Sequence, residues 1–253
     1  MKKTSLLFVL YLLQFSVYAQ NDSIFIMRHG IIIYQKALNE IDSILYYRDD
    51  FNLNGTFYDS RDSTIYPTII IGNQIWFAAN LRYLPSVSPP SIASDQTPLY
   101  YVYNYIGNNK YEAKNTTYYQ TYGVLYNHRA ALTACPTGWH LPTVSEYQIL
   151  IDYLGGASLA GGKMKLSGLS FWESPNYGGT NESGFSGQGG GFLLSNPPQF
   201  RNIKSVGYFW SQPDNYQYGV GNTILLVSNS RSVVSNIFLT SWGFSVRCIR
   251  DPF

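Results

Sequence analysis

"ACPTGWHLPTVSEYQIL", residues 134–150, joins one of the chain's two cysteines to a tryptophan, a histidine and a helix start. Thr143 is a candidate N-cap, and Glu146, three positions on, can bond back to it as a capping box. Tyr147, Leu150, Ile151 and Leu154 fall at i, i+3, i+4 and i+7, which gives the helix one apolar face. Gly155-Gly156 ends it. His140 stands just ahead of the helix, and nothing else in the stretch resembles a metal ligand or a general base. Residues 127–134 read as a shorter helix stopped by Pro136.

Beyond Gly156 the chain is glycine-rich with short strand-like pieces: "VGYFWSQ", "TILLVSNSRSVVS" and "WGFSVRCIRD". Toward the N-terminus, Ile69-Ile70-Ile71, Gly72-Asn73 and Gln74-Ile75-Trp76-Phe77 read as strand, tight turn, strand. Residues 85–98 form a Pro/Ser-rich loop. The tyrosine-rich segment after it is broken at Gly107-Asn108-Asn109. Further back, two apolar runs flank His29-Gly30, and residues 39–47 add a third strand-like piece, so a small β-hairpin module is expected here. The turn formers of "DDFNLNG" link it to the main domain. No period of 20 to 50 residues recurs, which excludes a solenoid.

Composition narrows the class. Charged residues are 13%, well below the usual quarter, while aromatics are 17%, with 23 tyrosines, beside 22 glycines. That suits a loop-rich exported protein, and a disordered chain would be poorer in aromatics. "MKKTSLLFVLYLLQFSVYAQ" begins with Lys2 and Lys3, continues with an apolar run at residues 6–15 and ends on Val17-Tyr18-Ala19. It reads as a secretory signal cleaved after Ala19. The run is too short for a comfortable span, and no later run crosses a bilayer. Cleavage removes two lysines from a formal charge of +2 and leaves the mature chain near neutral. Electrostatic capture of nucleic acid or an anionic membrane is therefore not expected.

The two cysteines are Cys135 and Cys248. In an exported protein an even count suggests a disulfide, and two separate free thiols are the alternative. The bridge would close a loop of over a hundred residues, worth about 4–5 kcal/mol in the chain-entropy description.

Six ordered blocks carry a family resemblance: "IGNQIWFAANL", "YGVLYNHRAALTACPTGWHLPTVSEYQIL", "AGGKMKL", "GTNESGFSGQGGGF", "VGYFWSQ" and "WGFSVRCIRD". Together they resemble the Fibrobacter succinogenes major paralogous domain, common in exported proteins of Bacteroidetes and Fibrobacter. The resemblance covers about residues 59–251. It implies an α+β, C-type lectin-like fold, related to that of formylglycine-generating enzymes: two short helices flanking a small twisted antiparallel sheet. It also implies that Trp139 packs between the helices and that Cys135 to Cys248 joins a helix to the last strand. Tyr147 stands where the family often has Trp, and His128 departs from the pattern after "YGxLYN" as a loop or surface change. The organisation expected is a signal peptide at 1–19, a hairpin leader and linker at 20–58, and the family domain at 59–253. The resemblance carries no settled activity. Its fold relatives suggest surface binding on a secreted or cell-surface protein of a Gram-negative bacterium.

Catalytic readings fare poorly. Arg28-His29-Gly30 matches the opening of histidine phosphatases but sits in a short hairpin, so a turn is the better account. Three scattered histidines do not make a zinc site. The cysteine pair that formylglycine-generating enzymes need is not spare once a disulfide is made. "SGQGGGF" lacks the Lys-Ser/Thr and helix of a phosphate cradle, and its glycines read as turns.

"QPD" at Gln212-Pro213-Asp214 is more suggestive, because sugar-binding C-type lectins use this tripeptide to hold calcium and sugar hydroxyls together. Calcium wants six to eight oxygen ligands. Asn215, Asn222 and Asn229 follow, but the downstream "WND" of those lectins is absent, and a Pro-Asp turn is ordinary. Trp172, Tyr177, Tyr208, Trp210, Tyr216 and Tyr218 gather in the same region. Aromatic faces stack on sugar C–H faces while amides bond hydroxyls. Trp210, between Phe209 and Ser211 on a strand, reads as core, whereas Tyr216 and Tyr218 in a polar loop read as exposed. The expectation is an exported, non-enzymatic binding protein with carbohydrate as the ligand to consider; a structural or adhesive cell-surface subunit that binds other proteins stands second, and an enzyme of unknown type third. Gln212, Asp214, Asn215, Tyr216 and Tyr218 are the candidate ligand residues, with calcium at Asp214 as the one cofactor to consider. Trp139, Thr143, Glu146, Trp210 and the two cysteines are scaffold.

Overall fold

The computed structural model describes residues 23–28, 31–37, 51–52, 55–213 and 219–250. The expected signal sequence, the turn expected at His29-Gly30 and the strand expected at 39–47 lie outside the described residues. The chain divides into two compact units, Met1–Asp49 and Asp50–Phe253. In the first, β1 (Ser23–Arg28) and β2 (Ile31–Ala37) pair antiparallel, with Ser23 opposite Ala37 and a register shift after Ile26.

The second unit runs β3 (Phe51–Asn52), β4 (Thr56–Asp59), β5 (Thr64–Ile71), β6 (Gln74–Phe77), β7 (Tyr100–Tyr101), α1 (Lys110–Lys114), α2 (Thr117–Tyr122), β8 (Leu125–Tyr126), α3 (His128–Ala134), β9 (Trp139–His140), α4 (Val144–Tyr153), α5 (Ala157–Met164), β10 (Gly190–Ser195), β11 (Pro198–Ile203), β12 (Val206–Trp210), β13 (Val220–Val227), β14 (Val233–Leu239) and β15 (Ile249–Arg250). One sheet has the order β3-β4-β5-β6-β15-β9, a second the order β11-β10-β12-β13-β14, and β7 pairs with β8. Because β4 pairs with β5 from Thr56 onward, this sheet begins ahead of the boundary expected at residue 59.

The fold is α+β, but richer than two helices around one small sheet: five helices and two larger sheets occur among the described residues, and β10 meets β12 in parallel. The helices α1 and α2 lie where the sequence reads only as a broken tyrosine-rich segment. Asn109 and Thr116 cap them, their side chains accepting backbone N–H groups of the first turn.

Strand alternation distributes the aromatic residues of β6 and β12 between two of the buried cores, while Tyr101 and Tyr103 belong to a third. Tyr208 and Trp210 of β12 enter the first core, Phe209 the second; Phe77 of β6 enters the first, Trp76 the second. The first core also takes Tyr126, Phe244 and the buried alanines of α3. The second takes the apolar face of α4, namely Tyr147, Leu150, Ile151 and Leu154. Deleting one such ring typically costs about 3–5 kcal/mol. Tyr147 does serve as an aromatic anchor, its ring 5.1 Å from that of Trp76, yet its hydroxyl is buried without a hydrogen-bond partner.

Two expectations need correction. Trp139 does not sit between the helices: its ring meets Phe77 at 4.4 Å and Phe57 at 5.4 Å in the first core, whereas the α4 face belongs to the second. The cause is β9, which pairs with β15 and turns Trp139 onto the sheet. His128 is neither loop nor surface. It is the buried first residue of α3, edge-on to Trp210 at 5.0 Å.

Cys135 and Cys248 are bonded, with Cα atoms 5.8 Å apart. The bridge ties the C-cap of α3 to the residue preceding β15. The capping box of α4 is also present: the Glu146 N–H donates to Thr143 Oγ1 at 3.1 Å, and the Thr143 N–H donates to Glu146 Oε2 at 2.8 Å.

Candidate functional site

β12 ends at Trp210, and the chain then leaves the sheet through Ser211, Gln212 and Pro213. This exit is clamped. The Ser211 N–H donates to Asn222 O at 2.9 Å, the Gln212 N–H to Pro142 O at 2.8 Å, and the Gln212 carbonyl accepts from the Val144 N–H at 3.3 Å. Gln212 thereby forms a parallel bridge with Thr143, the N-cap of α4. The return arm is clamped as well, since Gly219 O accepts the Thr240 N–H at 3.0 Å. Asp214, Asn215, Tyr216 and Tyr218 lie outside the described residues, and with them the calcium reading at Asp214. Gln212 is exposed.

The strand pair β13–β14 that follows this loop is uncharged. Register sets Asn222 opposite Ile237 and Val220 opposite Leu239. Ile237 and Leu239 are 50% and 51% exposed, and neither β13 nor β14 contains a charged residue. Beneath the loop, the His128 Nε2 lies 3.3 Å from the Ser211 carbonyl, so it carries the proton in the neutral ring. Burial lowers the His128 pKa, and the Ser211 contact only partly opposes this.

The stretch around His140 joins β9 to the start of α4. The His140 Nε2 lies 2.9 and 3.0 Å from the two Glu146 oxygens, and the Thr143 hydroxyl is 3.0 Å from Oε2. Burial would raise the Glu146 pKa, but His140 and the Thr143 N–H and hydroxyl together hold it below the usual value. A carboxylate so engaged fixes a helix start and an adjoining strand. The aromatic candidates divide. Trp172 and Trp210 are buried, donating to Gly187 O at 3.0 Å and Tyr126 O at 2.7 Å. Tyr208 is also core, while Tyr177 is 56% exposed.

Two buried cations escape a reading of the sequence. Arg247 is fully buried; its Nε donates to Asn80 Oδ1 at 2.9 Å, and its terminal nitrogens donate to the carbonyls of Phe77, Phe185 and Ser186. Its guanidinium lies over the Phe185 ring at 4.5 Å, and burial pushes its pKa down to about 9. Lys165 is likewise buried, its ammonium among backbone carbonyls, and burial pushes its pKa down to about 8. A signal for Arg247 exists in "FSVRCIR": Phe244, Val246 and Cys248 alternate into the first core, which turns Arg247 and Ile249 toward the other side. Lys165 has no such signal, because it leaves a helix rather than a strand. Among the described residues no group of three or more His, Cys, Asp or Glu could hold a metal ion.

Neither a curated protein nor a solved structure matches the chain. The sequence model of the Fibrobacter succinogenes major domain matches residues 69–250, from β5 to β15, and so takes in most of both cores, the disulfide and both buried cations. The chain belongs to the Fibrobacter succinogenes major domain family.

Proposed function

We propose that this chain is an exported, non-enzymatic binding protein whose C-type lectin-like domain holds a glycan at the loop between β12 and β13. The observation that carries this reading is the mounting of that loop: both arms are hydrogen-bonded to rigid neighbours, and Gln212 is exposed at its root. Fixed arms at Ser211, Gln212 and Gly219 lower the cost of ordering on binding. Exposed amides bond hydroxyls, and Tyr216 and Tyr218 supply rings for sugar C–H faces. The perturbed ionisable groups support the non-enzymatic reading, since Glu146, Lys165 and Arg247 are each committed to helix caps or carbonyls. The signal sequence at 1–19 and the disulfide between Cys135 and Cys248 fit export. No helix among the described residues is long and apolar enough to cross a membrane.

The test is a glycan array with residues 20–253, run in calcium and again in chelator, beside Asp214→Ala and Tyr216→Ala. Saturable binding lost in Asp214→Ala and in chelator places calcium and sugar together at Asp214. Binding insensitive to chelator but lost in Tyr216→Ala leaves an aromatic platform. A blank array overturns the glycan reading.

β14 favours a second reading, an adhesive or structural subunit that binds another surface protein. It is an edge strand carrying exposed Val234, Ile237 and Leu239. The opposite edge, β11, opens on Pro198 and carries exposed Arg201, both of which discourage pairing. β14 has neither device, although Asn236 Oδ1 accepts its neighbour Ile237's N–H at 2.8 Å. Ile237→Lys would abolish protein capture under this reading and leave glycan binding unchanged.

A further inference from the structure

Lys165 follows α5 as its C-cap, and its backbone is held in a parallel bridge with Gly187. The side chain runs inward and ends among carbonyl oxygens of Tyr177 and of the end of β13 with the turn after it. Its Nζ donates to Ser230 O at 2.7 Å, Val227 O at 2.8 Å and Tyr177 O at 3.0 Å, with Ser228 O at 3.5 Å. Three close carbonyls satisfy the three N–H bonds of an ammonium. The Trp172 ring covers another side at 5.4 Å. Of the carboxylates nearby, Glu173 accepts from the Ser228 hydroxyl at 3.2 Å and Glu182 pairs with Lys163 at 3.3 Å.

We propose that these carbonyls form a cation-binding site that the chain fills with its own side chain, one suited to a large monovalent cation or an alkylammonium. Distances of 2.7–3.0 Å are too long for calcium, which takes oxygen at about 2.3–2.6 Å, or for magnesium at about 2.0–2.1 Å. The donors are neutral carbonyls, which also argues against a divalent ion. The site pins Tyr177 to the turn after β13, where the intervening "NYGG" and "SNSRS" stretches offer few apolar side chains to do so. The Tyr177 N–H donates to Ser228 O at 2.6 Å, so the two loops are joined on both sides of the ammonium. The cage thus sets where the exposed Tyr177 ring stands.

The experiment is thermal unfolding of Lys165→Ala in choline chloride, then in potassium, ammonium and ethylammonium chloride at equal ionic strength. Lys165→Ala is expected to lose about 5–10 °C in choline, from carbonyls left without donors. Ethylammonium, and to a lesser degree ammonium and potassium, restores part of the loss along a saturating curve, while wild type responds to none of them. Lys165→Met, which fills the stem without a charge, stays destabilised and is not rescued. A Lys165→Met protein as stable as wild type overturns the proposal. So does a Lys165→Ala protein that is no more stable in ethylammonium, ammonium or potassium than in choline. Should neither variant fold, reductive methylation of the wild-type chain decides: Lys204 reacts and Lys165 stays protected, whereas prompt modification of Lys165 refutes the cage.

Discussion

Helices α4 and α5 follow one another across Gly155-Gly156 and are held by opposite means. α4 carries its own instructions: a reciprocal cap at Thr143 and Glu146, and an apolar face in the core that holds Trp76 and Phe185. α5, "ASLAGGKM", has no side-chain cap at Gly156 and carries two glycines in its interior. Glycine inside a helix typically costs about 1 kcal/mol relative to alanine. Its neighbours offset this. The Gly162 N–H donates to Arg231 O at 2.8 Å, and the Gly162 carbonyl accepts the Thr180 N–H at 3.1 Å. A methyl group at Gly161 would collide with the Ser232 carbonyl, and one at Gly162 would lie 2.5 Å from Gly178 O. α4 is a helix by local sequence, while α5 is a helix because loops lean on its bare backbone.

The sharpest way to break this contrast is Gly161→Ala. In a solvent-facing helix that change gains stability; here it is expected to lose about 3 kcal/mol in denaturant unfolding, because the backbone of Arg231 and Ser232 must give way. A gain would show that α5 needs no close approach. Thr143→Ala probes the other helix and is expected to lose about 1 kcal/mol, the usual worth of an N-cap. A loss as large as that of Gly161→Ala would mean that α4 too depends on more than its own cap.

The smallest effect is a pH dependence. The folded-state pKa of Glu146 is lowered, so its contribution is present above the unfolded value and is lost as pH falls through the folded one. The stability gap between wild type and Glu146→Gln should therefore be full at neutral pH and shrink on acidification. A gap that stays constant as the solution is acidified through the carboxylate range would mean that the charge contributes nothing to the cap.

The same contrast separates what the sequence makes legible from what it hides. α3, α4, the Gly72-Asn73 hairpin and the core placement of Trp210 are legible because each has a short-range signature: a cap, a period or a turn dipeptide. α5 is hidden because its glycines speak for loops. The glycines of "SGQGGGF" read as turns, yet Gly187 and Gly189 are required by close approach, to Leu226 and Met164 in one case and to the Lys204 backbone in the other. Of the candidate ligand residues, the structure describes Gln212 and shows it anchored to Thr143 at the start of α4, a contact between distant parts of the chain that no periodicity announces.

Local chemistry therefore settles α3, α4, the Gly72-Asn73 hairpin and, through the ordered blocks, the family. Tertiary structure alone decides which core each aromatic side chain enters, why α5 is helical and where Lys165 and Arg247 find their carbonyls. The reason is physical. Caps and turns are satisfied by atoms within a few residues, so the requirement is written nearby. A buried cation or a bare glycine backbone is satisfied by atoms of distant segments, and those become neighbours only when both sheets have formed.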